Sequence, residues 1–529
     1  MASTRSFILK LTSALLILTL ALCELPSALA TNVGESLTLG IMSTKTTVLR
    51  PLAPQERDMA AIYDICYNGL ISVDDDYLPQ PCLAESWEES GAGRTWTFQL
   101  RSGVTFSDGT PLTAADVVAT TQYILDQANA EDTTDKGYYY NLSYYVSSVS
   151  ASGDSTVVFK LKSGKRNWGF LYELTYPILP ADSITADNPP GTGAYVISQF
   201  DACNSLTLTA NQNWWQAQPQ VQEIMVVMYN TPKEVMNAYE YAQVDTILTR
   251  SLSASQYRSG TSSLSLSCRT RQLETLLINE SSFPLGTLEV RQAIRYAIDV
   301  DKLASGAYMG MVERTNLPTI PGTWLYDESV DSSYTYDPDK AIALLNEAGW
   351  TDSDGDGVLD MPKEDGSGLY RMHIRIYVYE EPEDSVRVET ANSIADMLTA
   401  IGFECSVTTM TFSDMQTRLK AGSYDLALAA YNMDVCPDPG FLLMKSNTGN
   451  YTRYSSTEMD TLIKEELRTA LNQQDYQTAL YKVWNQFTQD IPFICLYFRQ
   501  SKVLTRRMYT TARDIRELEQ LRGIDTFHP

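Results

Sequence analysis

Histidine is almost missing from this chain: 529 residues carry two, His373 and His528. One lies in a predicted strand and the other one residue from the C-terminus, which excludes a multi-His metal centre and a His-based nucleophilic dyad. G-x-S-x-G, a Walker loop and H-E-x-x-H are missing too, and with them the familiar nucleophile, nucleotide and zinc-peptidase signatures. Positive charge is scarce: 40 Lys+Arg against 65 Asp+Glu leave a formal charge of −25, which repels a polyanion and argues against nucleic acid as a partner. Beyond residue 30 no apolar run approaches the roughly 20 residues of a spanning helix. The cysteines form no CxxC pair and have no His nearby, so metal and redox readings fail on spacing. A pair of carboxylates leaves no short signature, so a secreted carboxylate-dependent hydrolase stays as an outside alternative to a non-enzymatic protein.

What is present is a globular composition, 44% hydrophobic and 20% charged, long enough for two or three domains. The 32 Tyr and 8 Trp supply flat amphipathic surface, which suits a binding cleft as well as an ordinary large core. Arg5 and Lys10 precede an almost uncharged run from Leu11 to Cys23, followed by Ala28-Leu29-Ala30. That pattern reads as a secretory signal peptide over residues 1–30, cut after Ala30. Lipid attachment at Cys23 is the alternative, disfavoured by Leu22 standing where that signal wants a small side chain. Export permits disulfides, and Cys66 with Cys82 and Cys203 with Cys268 are the expected pairs among the seven remaining cysteines, although spacing does not fix connectivity.

Thr95 to Leu100 has the period of a half-buried strand, and Thr113 with Asp116 three residues on opens a helix carrying Val117, Ile124 and Leu125 on one side. Thr156 to Leu161 reads as a strand, and the loop Asn188 to Gly193 as a domain crossing. Ala194 to Ile197 and Ser205 to Thr209 look paired, and Val221 to Tyr229 fits a central strand. The second half alternates helices and strands: a helix around Val290 to Ile298, another from Asp337-Pro338 to Gly349, then strands at Arg371 to Tyr379, Phe403 to Thr409, Tyr424 to Tyr431 and Pro492 to Phe498. This order predicts an α/β protein with mixed sheets flanked by helices.

Asp352, Asp354, Asp356 and Asp360 place oxygen ligands at alternate positions, with Gly355 and Gly357 where a calcium loop bends. Lys363 occupies the twelfth position in place of the bidentate Glu, so a structural calcium and a solvated acidic turn are both readings of this loop. No other cofactor is expected.

The run Leu83-Ala84-Glu85-Ser86-Trp87, then Trp96 to Val117 through Phe106-Ser107-Asp108-Gly109-Thr110-Pro111-Leu112-Thr113, resembles the extracytoplasmic solute-binding proteins of peptide/nickel ABC transporters, the oligopeptide/dipeptide-binding family. Asn68-Gly69-Leu70, Gly191-Thr192-Gly193-Ala194-Tyr195, Val290 to Ile294 and Ala341 to Trp350 extend the match over nearly the whole mature chain. The resemblance implies a bilobal periplasmic-binding-protein clamp of type II with an extra small domain. On that frame residues 31–67, 193–280 and 496–529 form lobe I, 68–192 the small domain and 281–495 lobe II. It implies a monomeric receptor outside the cytoplasmic membrane, in the periplasm or on the outer cell face, that captures short peptides between its lobes and delivers them to ABC permease subunits. Asp434, in Tyr431-Asn432-Met433-Asp434, matches the Asp with which peptide-binding members meet the ligand's α-amino group, and Asn432 stands beside it. Phe412 and Tyr431 fall where the family has cleft aromatics, and Tyr140 and Tyr144 are candidates for the small-domain side, simple packing being the alternative for each. An oligosaccharide stacked on Trp168, Trp214, Trp215 or Trp324, or a metal chelate, is the alternative ligand in the same fold.

Overall fold

The computed structural model describes residues 36–528 apart from 54–55, 131–136, 166, 382–384, 437, 510–514 and 525–526. The signal sequence read at residues 1–30 and Cys23 lie outside the described residues. In chain order the principal strands are β1 (Ser36–Met42), β2 (Ala84–Ser90), β3 (Thr95–Leu100), β4 (Val146–Ser152), β5 (Thr156–Leu161), β6 (Tyr195–Asp201), β7 (Ser205–Ala210), β8 (Glu223–Tyr229), β9 (Thr246–Thr249), β10 (Leu264–Ile278), β11 (Val312–Arg314), β12 (His373–Tyr379), β13 (Glu404–Met410), β14 (Leu426–Asn432) and β15 (Phe493–Thr505). One mixed sheet of 11 strands runs β13-β12-β14-β10-β15-β9-β1-β8-β7-β6, with β11 beside β15, and a separate four-stranded sheet runs β2-β3-β5-β4.

The small sheet follows from alternation. Trp96, Phe98 and Leu100 of β3 point inward against Val157, Phe159 and Leu161 of the antiparallel β5, and Phe98 meets Phe159 edge-on at 5.6 Å. Helix Ala114–Asn129 covers it, opened as expected by Thr113: its N–H donates to Asp116 Oδ2 at 2.8 Å, while Asp116 Oδ1 takes the Ala181 N–H at 2.9 Å. The Asn188 to Gly193 loop packs on the end of helix Arg57–Cys66 so closely that a Cβ at Gly191 would stand 2.2 Å from the Cys66 carbonyl oxygen. Only glycine fits there.

The β12–β14 half of the main sheet is covered on both faces, which explains its near-continuous apolar runs. Ile376, Val378, Leu426, Leu428, Ile278 and Ile294 form one core, and Tyr377, Ala427, Ala429, Leu277, Trp484 and Phe493 the other. The other half of the main sheet, through Leu39, Ile224 and Leu208, shares its core with Trp96, Phe98 and Phe159 of the small sheet.

The halves are joined by the two longest strands. β10 and β15 pair antiparallel from Leu264 to Arg269 opposite Thr505 to Gln500, then again from Leu273 to Leu277 opposite Phe498 to Phe493, with a register shift between Arg269 and Leu273. Such a break bends a strand and re-aims the residues within it.

The expected disulfides are not formed: all seven cysteines are free thiols. Cys203 sits at the β6–β7 turn with its Sγ toward the Thr46 carbonyl at 3.4 Å, whereas Cys268 lies on β10, five strand spacings from β7. At about 4.8 Å per spacing the two are roughly 24 Å apart, far beyond a disulfide's reach. Cys66 and Cys82 are each buried, and burial raises both thiols, that of Cys82 to about 12, so they remain neutral side chains of the core.

Candidate ligand-binding site

The register break in β10 builds the site. β14 ends where Asn432 lies opposite Gln272, and the chain then holds to the break through the Met433 N–H on the Arg271 carbonyl at 2.8 Å. Arg271 is turned out of the strand toward that exit. Its Nε donates to the Met433 carbonyl at 2.7 Å and its Nη2 to Asp434 Oδ1 at 2.8 Å. Asp434 is thus half-exposed, with one oxygen paired and one free of protein donors.

Behind Arg271 stands Glu517 from the C-terminal segment. It accepts the Arg271 backbone N–H at 2.6 Å, Arg250 Nη2 at 2.6 Å and Arg57 Nε at 2.7 Å. Burial alone would raise its carboxyl, but the guanidinium groups of Arg250, Arg57 and Arg271 outweigh that and hold it below the usual range. Arg271 is thereby fixed by its backbone to one carboxylate while its side chain serves another.

The small-sheet unit also docks on this half of the molecule. Its helical turn Trp168–Leu174 is seated on the β12–β14 half by the Trp168 N–H, which donates to the Ala470 carbonyl at 2.8 Å. Tyr172 beside it donates to the Tyr77 carbonyl at 2.7 Å and accepts Trp324 Nε1 at 3.1 Å. Glu173 of this turn feels both members of the ion pair: burial raises its carboxyl to about 8, Asp434 adds to the rise and Arg271 opposes it. The Tyr140 phenol is raised by burial first, then by Tyr144, Asp434 and Glu173. Tyr140 and Tyr144 are exposed, with ring centroids 6.1 Å apart.

Of the residues singled out from sequence, Asp434 and Asn432 lie together at the β14 exit, and Tyr140 and Tyr144 pair with each other on the small-sheet side. Tyr431 is turned the other way, among Phe441 and Phe493, with its hydroxyl spent on the Gly449 carbonyl at 3.1 Å. Its neighbour Asn432 is on the exposed side because strand residues alternate. Phe412 is exposed at the start of helix Phe412–Ala421, edge-on to Tyr379 at 5.1 Å. The tryptophans offered for a sugar are engaged by protein: Trp215 donates to Asn68 Oδ1 at 3.1 Å under the Arg101 guanidinium, Trp324 packs on Tyr476, and Trp168 and Trp214 pack against the cores. Arg271, Glu173 and Glu517 were not singled out. The polar run Arg269-Thr270-Arg271-Gln272 inside an apolar strand, and a lone acid in Phe170-Leu171-Tyr172-Glu173-Leu174, were the available signals.

At the acidic loop, Asp352, Asp354 and Asp356 are exposed and offer oxygens within 4.8 Å of one another. Asp360 does not join them: it is buried and accepts from Ser353 Oγ at 2.6 Å. Asp352 already takes the Gly355 and Gly357 N–H groups, and Arg371 lies 2.7 Å from Asp356.

Two half-sheets joined by a strand pair with a register break thus carry a half-exposed ion pair at that break. The chain belongs to the bacterial extracellular solute-binding proteins, family 5, whose middle-region model matches residues 79–453. It is the substrate-binding component of an ABC transporter and performs no chemistry on its solute. Among curated relatives it is 23% identical to the oligopeptide-binding protein AppA of Bacillus subtilis strain 168 over 92% of this chain and 91% of that protein. It is 27% identical to the nickel-binding periplasmic protein of Escherichia coli K12 over 54% of this chain and 56% of that one. The structure of Bacillus subtilis AppA with a nonapeptide has a TM-score of 0.67 at 21% identity, covering 94% of this chain and 99% of that chain. The substrate-binding protein CtaP of Listeria monocytogenes reaches 0.78 at 19% identity, with the same shares covered. Among the described residues no helix is long and apolar enough to cross a membrane.

Proposed function

We propose that the solute is a short peptide, captured between the lobes with its α-ammonium on Asp434 and passed to the permease of an ABC importer. The observation that carries this reading is the Asp434 carboxylate: half-exposed, with one oxygen held by Arg271 Nη2 at 2.8 Å. A cation brought there as the cleft closes exchanges water for a charged partner in a medium of lower dielectric, where the pairing is stronger. A neutral sugar gains nothing from that charge, and the engaged tryptophans offer it no free platform. The similarity to AppA supports the same ligand class.

In this reading the lobes turn about the register break between Arg269 and Leu273 and its partner segment near Gln500, with residues 68–192 as the additional small domain. Residues 1–30 direct export, and the mature chain works as a monomer. Ligand binding favours the closed arrangement by its differential affinity for it.

Denaturing mass spectrometry of what co-purifies with the mature chain tests the proposal. A ladder of short peptides is the expected result. A bound sugar or metal chelate in their place would overturn it.

A further inference from the structure

Residues 515–524, near the C-terminus, lie along the stretch of β10 that β15 leaves unpaired. Thr270, Arg271 and Gln272 have no partner residue on β15. A strand interrupted in this way leaves backbone groups that must find other partners, and here one residue supplies two of them. The Glu517 N–H donates to the Arg269 carbonyl at 2.7 Å, and Glu517 Oε2 accepts the Arg271 N–H at 2.6 Å. Arg516 beside it forms an isolated parallel bridge with Arg269.

The same segment is fastened to two other parts of the molecule. Glu517 Oε1 takes Arg57 Nε, from the start of helix Arg57–Cys66, at 2.7 Å and Arg250 Nη2, from the residue after β9, at 2.6 Å. Arg516 is buried and donates to the Asp74 carbonyl and, at 2.7 Å, to the Val73 carbonyl, with its guanidinium 4.6 Å from the centre of the Tyr77 ring. Arg522 pairs with Asp75 at 2.8 Å. Ile515, Leu521 and Ile524 are seated in the core that holds Leu39 and Phe98.

We propose that residues 515–524 are a strap that holds the hinge: Glu517 positions the broken stretch of β10, and with it Arg271, against helix Arg57–Cys66 and the turn at residues 73–77, so that the halves of the main sheet turn only as far as the strap allows. The inference rests on the reading above in which the lobes turn about this break, and adds what sets the turn. An unpaired stretch free of other contacts would bend easily, whereas one fastened to a carboxylate that two guanidinium groups hold resists bending. Glu517 acts on Asp434 through Arg271 and is therefore a positioning residue.

Hydrogen exchange and small-angle scattering of the ligand-free mature chain test this, with Glu517→Ala as the strap variant and Arg57→Ala beside it. Arg57 is 40% exposed, so its removal keeps the fold even where Glu517→Ala does not. In Glu517→Ala the amides of residues 269–273 are expected to exchange about tenfold faster or more, the scale of a hydrogen bond to a charged group. Residues 264–268 and 274–278 are expected to keep wild-type rates, and Arg57→Ala to show a smaller rise at the same amides. Both variants are expected to have a larger radius of gyration than wild type. Wild-type exchange at residues 269–273 in both variants, or a rise spread evenly along the chain, overturns the strap, since lost stability alone speeds every protected amide. A local rise with an unchanged radius overturns its control of the turn. Wild type that does not compact with saturating Ala-Ala-Ala, while the variants show the local rise and the larger radius, overturns the peptide reading and leaves the strap standing.

Discussion

Two arginine–carboxylate pairs flank one break in one strand, and they have opposite characters. Glu274 pairs with Arg387 through two bonds, Nη2 to Oε1 at 2.8 Å and Nε to Oε2 at 3.0 Å, with side chains 1% and 2% exposed. Glu381 adds a second carboxylate at 2.8 Å and the Tyr379 ring lies 4.2 Å from the guanidinium. Three residues earlier, Arg271 meets Asp434 through one bond, and the pair is 25% and 53% exposed. The chemistry is the same and the surroundings differ. After the break, Glu274 is back in the sheet, opposite Tyr497 on one side and Ala430 on the other, so its charge is sealed and must be fully paired. Within the break, Arg271 is released from pairing with β15 and meets a half-exposed partner of which only one oxygen is bonded. The first pair fixes the molecule, and in the proposed reading the second recognises something outside it.

The comparison is easiest to break at its sealed end. Glu274→Ala leaves the Arg387 guanidinium buried with one of its carboxylates gone, and a loss of about 3–5 kcal/mol in urea unfolding is expected. A loss as small as that of a surface pair would erase the distinction. At the open end the effects invert: Asp434→Asn is expected to cost peptide affinity about tenfold or more in calorimetry and stability no more than about 1 kcal/mol, since an exposed pair contributes little.

A smaller effect sharpens the account through pH. The Glu173 carboxyl is raised by burial, then by Asp434, from 4.5 to about 8 in the folded chain, so its contribution to stability is fully present below pH 4.5 and is lost as pH rises through about 8. The ligand-free protein should therefore gain thermal stability from Glu173→Gln at pH 8.5 and little at pH 5; equal shifts at both would contradict the assignment. Smallest of all, Arg371→Ala removes the exposed contact to Asp356 at the acidic loop and should leave the thermal midpoint unchanged.

The same contrast explains what could be read from the residues alone. Thr95 to Leu100, the Thr113–Asp116 helix start and the doubly covered strands of the second half follow local rules of alternation and capping, and each formed where expected. β10 escaped notice because Arg269 to Gln272 interrupts its apolar pattern, although that interruption is what frees Arg271 to reach Asp434. Asp434 was visible through a family motif. Its partner Arg271 lies 163 residues away in sequence, and the pairing exists only because β14 hydrogen-bonds to β10. Tyr431 illustrates the converse: it shares the motif, but the alternation of the strand sends its ring to the core. Export favoured disulfides, yet which thiols meet is a matter of strand order, and the order kept the β6–β7 turn that carries Cys203 far from the β10 strand that carries Cys268.

The central claim is that the open pair recognises a peptide's free amine. Titrating the mature chain with Ala-Ala-Ala and with its N-acetylated form by calorimetry tests it most directly. The account predicts stoichiometric binding of the free tripeptide and an affinity at least about a hundredfold lower for the acetylated one, on the scale of losing a buried charge pairing. Equal affinity for the two forms would contradict it.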